Sequence, residues 1–168
     1  MGDALDHGYD GSGQLPLLAV EPAYKNVLRS RFLVQWVALS AVAVVVDQTL
    51  LSEGSFHGLP STLVPLLGII SLVVVPQRIY GHLGYRIAER LLQVVRGWMF
   101  HTDTLVPFVR VQHIDVTQGP LEKLFGVATL VVHTAGTHNS VVTVPGLAPQ
   151  RAAEIRDIIR EHVRTDLE

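Results

Sequence analysis

The chain has 168 residues, enough for one or two domains, with 48% hydrophobic and 17% charged residues, against about 25% charged in an ordinary soluble domain. That balance excludes a disordered chain and argues against a wholly soluble one. With 13 Lys plus Arg against 15 Asp plus Glu the formal charge is only -2, which excludes a strongly basic nucleic-acid binder, and the absence of cysteine excludes disulfides, thiolate metal sites and a cysteine nucleophile.

Residues 1–24 carry four acids (Asp3, Asp6, Asp10, Glu21), no Lys or Arg and no sustained period, the profile of a disordered acidic tail. Leu15, Leu17 and Leu18 are its candidates for docking elsewhere. The chain then turns apolar. FLVQWVALSAVAVVVDQTLL, Phe32 to Leu51, matches in helical length a hydrocarbon core about 30 Å thick. LPSTLVPLLGIISLVVV, Leu59 to Val75, is a shorter second span interrupted by Pro60, Pro65 and Gly68, breakers that lipid tolerates where neighbouring groups satisfy the freed backbone. Ser52 to Gly58 connect the two, so residues 25–80 are predicted to form a tight transmembrane hairpin. Two buried helices of a soluble all-α core are the competing reading. A secretory signal fits worse, because the first 31 residues are too long and too acidic for its leading segment.

No Lys or Arg lies between Phe32 and Val75, whereas Lys25, Arg29 and Arg31 precede the hairpin and Arg78, Arg86 and Arg90 follow it. Positive flanks stay inside. Both termini are therefore expected in the cytoplasm of a plasma (inner) membrane, with the turn outside, and Phe32, Trp36 and Tyr80 suit the interfacial belt. Asp47 is an intramembrane carboxylate, a type usually functional. Its place five positions from the end of the span, with no embedded base as partner, favours a solvated residue over a proton relay or pore residue.

Beyond Gly84 short β-branched runs alternate with turn formers. Strands are predicted over Tyr85–Ala88, Leu91–Arg96 and Trp98–Leu105, with a turn at Glu89 and Arg90 and a bend at Gly97. Over Val109–Gln118 the apolar residues switch from odd to even positions, which predicts a β-bulge near Gln112 and His113. In Gly119–Gly126, Pro120 opens a single helical turn and Gly126 ends it, placing Leu121, Leu124 and Phe125 on one face that seals the mouth of a small barrel. Val127–Thr134 and Val141–Val144 follow as strands, with Ala135, Gly136, Asn139 and Ser140 in or beside their turn. Pro149 opens a helix whose Ala152, Ile155, Ile158, Ile159 and Val163 form a buried stripe. The expected fold is a membrane α-helical hairpin plus a mainly-β, PH-like barrel of about seven antiparallel strands over residues 84–168, capped by a C-terminal helix.

The segment TLVPFVRVQHIDVTQGPLEKLFGVATLVVHTAG, followed by VTVPGL and a helix, resembles the YdbS-like bacterial PH-domain membrane proteins, the membrane-flanked domain family. The matching positions are Pro107, Arg110, Gln112, Gly119, Pro120, Leu121, Phe125, Gly126, Ala135 and Gly136, and with the hairpin the likeness covers roughly 27–163. It implies a membrane-anchored, non-enzymatic domain facing the cytoplasm. A well-patterned domain without catalytic residues, placed directly after two spans, is itself expected to act as a protein interaction or scaffold module. The partner the resemblance implies is a larger membrane protein with repeated PH-like domains; a second copy of the chain is a separate candidate. Each matching residue also has a structural role open to it: turns for Gly119 and Gly136, the approach to a strand for Pro107, backbone satisfaction at the bulge for Gln112, and a pairing with Asp115 or a carbonyl for Arg110. The first strand loop, where phosphoinositide-binding relatives of the PH superfold concentrate basic residues, offers only Arg90. General attraction to anionic lipid through Arg78, Arg86, Arg90 and Arg96, about 1 kcal/mol for each basic residue near the surface, leaves inner-leaflet lipid sensing as the alternative. A transport or channel subunit, resting on Asp47 and the broken second span, is a third.

Eight histidines show no HxxxH or HExxH spacing. His113 and His133 lie on predicted strands that could converge, without a third ligand. Gly11-Ser12-Gly13 lacks the strand, helix and lysine of a phosphate loop, and no GxSxG or paired carboxylates are found. No metal, cofactor, nucleic acid or catalytic residue is expected.

Overall fold

The two apolar runs form helices longer than their hydrophobic cores: α1 is Tyr24–Leu50 and α2 is Leu59–Gly81. They belong to a computed structural model that describes residues 17–88, 90–97, 102–135 and 141–165, with Arg164 and Thr165 described by backbone alone. At 27 residues α1 is about 40 Å long, so it crosses a hydrocarbon core and continues beyond it. Only 11% of each apolar stretch is buried. Val34, Val37, Val42 and Val45 on α1, and Ile69 and Val73 on α2, are more than half exposed. That overturns the soluble all-α core, because such a core would hide these side chains, whereas lipid receives them.

Asp47 is not solvated as expected. It is buried, and its carboxylate accepts the Gly58 N–H at 2.8 and 3.1 Å and the Ser61 hydroxyl at 2.6 Å. Gly58 is the N-cap of α2 and has no side chain to cap its own helix. Asp47 supplies that cap from the opposite helix, satisfying donors that would otherwise be orphaned. Lower down, Trp36 lies against Gly68, where an added Cβ would sit 3.2 Å from the indole. Trp36, expected in the interfacial belt, is thus an inter-helix contact.

The hairpin does not precede the domain; it is inserted into it. Within the segment read as a disordered tail, β1 (Leu18–Ala19) pairs antiparallel with β2 (Gly84–Ala88), Leu18 opposite Tyr85. Residues 1–16 lie outside the described residues, as do Glu89, Trp98 to His101, Gly136, Asn139 and Ser140. The first sheet runs β1-β2-β3-β4, with β3 Leu91–Arg96 and β4 Thr102–Pro107. After a 3-10 turn, Phe108–Arg110, the second sheet runs β5-β6-β7: Val111–Thr117, Ala128–Thr134 and Val141–Leu147. Seven antiparallel strands are described, in two sheets of four and three rather than one closed barrel. Between β5 and β6 lies α3 (Pro120–Leu124), and α4 (Pro149–Thr165) closes the chain.

The bulge predicted near Gln112 is present: Val111 faces Thr134 and His113 faces His133, leaving Gln112 as the extra residue. A second bulge, on β7, sets Pro145 and Gly146 opposite the single Thr129 of β6 and carries the strand on to Leu147, a position where a sheet tolerates proline. The core gathers Leu92, Val94, Val106 and Phe108 from the first half with Val127, Leu130, Val132 and Val144 from the second, and α4 lays Ala152, Ile155 and Ile159 on it. Ile158, expected in that stripe, is 37% exposed, because it falls on the shoulder of the helix. Val20, Val27 and Leu28 complete the core. Burying these three contributes roughly 5 to 9 kcal/mol, comparable with a domain's whole net stability of about 5 to 15 kcal/mol. The residues before Gly84 are therefore part of the domain's own core.

Candidate functional site at the base of the hairpin

Where α1 and α2 meet the sheets, three contacts join them. The Tyr80 hydroxyl donates to the Val20 carbonyl at 3.0 Å, Lys25 stands 4.2 Å over the Tyr80 ring, and the Glu21 N–H donates to the Gly146 carbonyl at 2.7 Å. Gly146 has φ +75°, and a Cβ there would lie 2.6 Å from Tyr24 Cγ. Only glycine lets β7 pass so close beneath the first turn of α1.

Beside this junction opens a cleft of about 570 Å³, lined among others by Tyr24, Arg31, Ile79, Arg96, Glu122 and Thr143. Glu122 is buried at 5% exposure, and its position explains the rotation of α3. At the third helical position it reaches back to the Gly119 N–H at 2.9 Å, the acidic half of a capping box. The same carboxylate accepts the Thr129 hydroxyl at 2.9 Å and a guanidinium N–H of Arg31 at 3.4 Å. Turning Glu122 inward turns Leu124 outward, 74% exposed, so only Leu121 and Phe125 pack on the core and the expected three-residue seal is not made. On the facing wall a guanidinium N–H of Arg96 donates to the Thr143 carbonyl. Burial lowers the Arg96 pKa from its ordinary value, opposed by nearby Tyr24.

The sequence-predicted residues fall in separate places. Gly119, Pro120, Leu121 and Phe125 build α3 and its ends, and Gly126 leaves it in left-handed backbone. Pro107, Arg110 and Ala135 meet at the opposite side of the domain, where the Ala135 N–H donates to the Arg110 carbonyl at 2.9 Å. Gln112 is exposed in its bulge, and Gly136 lies outside the described residues. Arg110 does not take Asp115: the carboxylate is held by His113 at 2.9 Å and His133 at 3.6 Å. Among the described residues no group of three His, Cys, Asp or Glu is placed to hold a metal.

Of the four arginines considered for lipid, Arg78 ends α2 and is exposed, and Arg86 is half-buried on β2. Pairing of Gly84 with Val95 returns Arg96 to the hairpin end, whereas Arg90 sits at the far turn, about 20 Å away at the strand rise. The four form no single patch. Sequence reasoning missed Tyr24, Arg31, Glu122 and Thr129 as neighbours, although the Gly119-Pro120 start with Glu122 three positions after the cap carried a readable signal.

Residues 28–163 match the bacterial PH domain family. The chain belongs to that family. It is also 35% identical over 100 residues to the transmembrane protein YdbS of Bacillus subtilis, covering 59% of this chain and 61% of that relative. No solved structure matches. The family match, the two exposed apolar helices and the transmembrane relative together make this a membrane-associated PH-like protein.

Proposed function

We propose that the protein is a non-catalytic scaffold module of the inner membrane, with both termini in the cytoplasm, whose PH-like domain receives a segment of a larger membrane protein. The observation that supports this reading is the edge of the first sheet. Among the described strands β4 has a neighbour on one side only. Beside it runs a cleft of about 320 Å³ lined by β4 together with Arg110, Thr134, Ala135 and Val142. Leu105 in that cleft is 59% exposed, Val109 in the turn that follows β4 is 68% exposed, and the Arg110 side chain is also exposed. An open strand edge flanked by apolar side chains suits an added strand, and Arg110 suits a carboxylate on it. Anchoring by two spans confines the search for such a partner to the plane of the membrane. The basic flanks Lys25, Arg29, Arg31 and Arg78 support the orientation.

Purification of the full chain from mild detergent tests the reading. The parent should retain a specific membrane partner, and Leu105→Asp with Val109→Asp should release it while the protein stays folded. Equal recovery by parent and variant, or recovery of nothing but the chain itself, overturns the proposal.

A further inference from the structure

The cleft at the base of the hairpin contains a cation that has no counter-charge among the described residues. Arg96 is half-buried, and the partner of its guanidinium is the neutral Thr143 carbonyl. The ion pairs among the described residues do not include it. Glu122, the acid of the same cleft, is already engaged by Arg31, Thr129 and Gly119. An arginine stays charged at any working pH, and a partly desolvated cation with only neutral partners is costly until an anion completes it. Arg31 supplies a second cation on the rim. Its contact with Glu122 at 3.4 Å is long for a charge-assisted bond, ordinarily about 2.7 to 2.9 Å, and its side chain is 53% exposed, so donors remain for another acceptor.

The level of the cleft matters equally. Arg31 immediately precedes the apolar run beginning at Phe32, and Ile79 from the last turns of α2 lines the same cleft. Lys123 and Leu124 are exposed on α3, which reaches α1 through the Glu122 to Arg31 bond. A cation beside an apolar side chain at this height suits the boundary between headgroups and hydrocarbon.

We propose that this cleft binds a phosphate-bearing anion through Arg96 and Arg31, the source being either the phosphodiester of an anionic phospholipid or free phosphate. Its volume of about 570 Å³ falls within the range of about 300 to 1,000 Å³ for small-ligand sites. Two arginines and one glutamate leave one net positive charge, which matches the single charge of a phosphodiester and favours the lipid. This site is separate from the β4 edge, so it stands or falls independently of the scaffold reading.

The test is a thermal-shift titration of the full chain in a zwitterionic detergent with phosphatidylglycerol, phosphatidylcholine or inorganic phosphate. Phosphatidylglycerol should stabilise the protein and phosphatidylcholine should not, and Arg96→Gln should weaken the apparent affinity about tenfold or more. Stabilisation by inorganic phosphate, with phosphatidylglycerol inert and the same loss in Arg96→Gln, supports the anion site and assigns the free source. If Arg96→Gln fails to fold, Arg31→Gln, which changes an exposed side chain, carries the test with a smaller loss of affinity. Binding of neither anion, or unchanged affinity in the folded variant, overturns the proposal.

Discussion

Replacing Glu122 by alanine removes an acceptor that three parts of the molecule share. The Gly119 N–H loses its reciprocal cap, the Thr129 hydroxyl loses its acceptor inside the cleft, and Arg31 loses its anchor to α3. Loss of a cap costs about 1 kcal/mol, and a hydrogen bond to a charged group contributes about 1.5 to 3 kcal/mol. Arg31 is half-exposed and returns to water, so its share is under about 1 kcal/mol. The total is about 3 kcal/mol, which for a chain of this size lowers the melting temperature by about 6 to 12 °C. Glu122→Gln keeps one oxygen for Gly119 or Thr129 and should lose about 1 kcal/mol. Thermal unfolding of the full chain in detergent, followed by near-UV circular dichroism, measures both. Adding Arg31→Ala to the alanine variant should change little further, because the two side chains act on one another. An alanine variant that melts with the parent, or a pair of substitutions whose effects simply add, would refute the bridging role of Glu122.

Two other substitutions probe the way the hairpin is held. Gly146→Ala sets a Cβ against the Tyr24 ring on left-handed backbone, and the strain and overpacking together should cost about 2 to 4 kcal/mol, read as a lowered melting temperature; parent-like stability would show that Tyr24 is free to move aside. Asp47→Ala strips the cap from Gly58 and Ser61, so the turn between the spans should become more sensitive to protease added from its own side of the membrane, with Asp47→Asn intermediate. Unchanged protection in both variants would show that the cap does not hold the turn.

What could be read without the structure is what short stretches decide alone. Two apolar runs need only their own length and composition to become spanning helices, since in lipid the backbone must satisfy itself within the segment. The phase slip around Gln112 was legible because a strand's alternation is local, and α3 was legible from Pro120 and Gly126. Leu124 and Asp47 were misplaced for the opposite reason. Their orientations depend on Glu122, which is held partly by Thr129 and Arg31, and on Gly58, eleven residues from Asp47.

The larger surprise is Leu18–Ala19. Nothing in an acidic, glycine-rich segment announces a strand when its partner, Gly84–Ala88, lies on the other side of both membrane helices. By itself the sequence determined the hairpin, most of the strands and the family. Only the tertiary structure decided that the hairpin is inserted into the PH-like domain, and that Tyr24, Arg31, Arg96 and Glu122 share one cleft. The reason is that β-pairing and ion placement join residues far apart in the chain, and their energies exist only once the two sheets and two helices have come together.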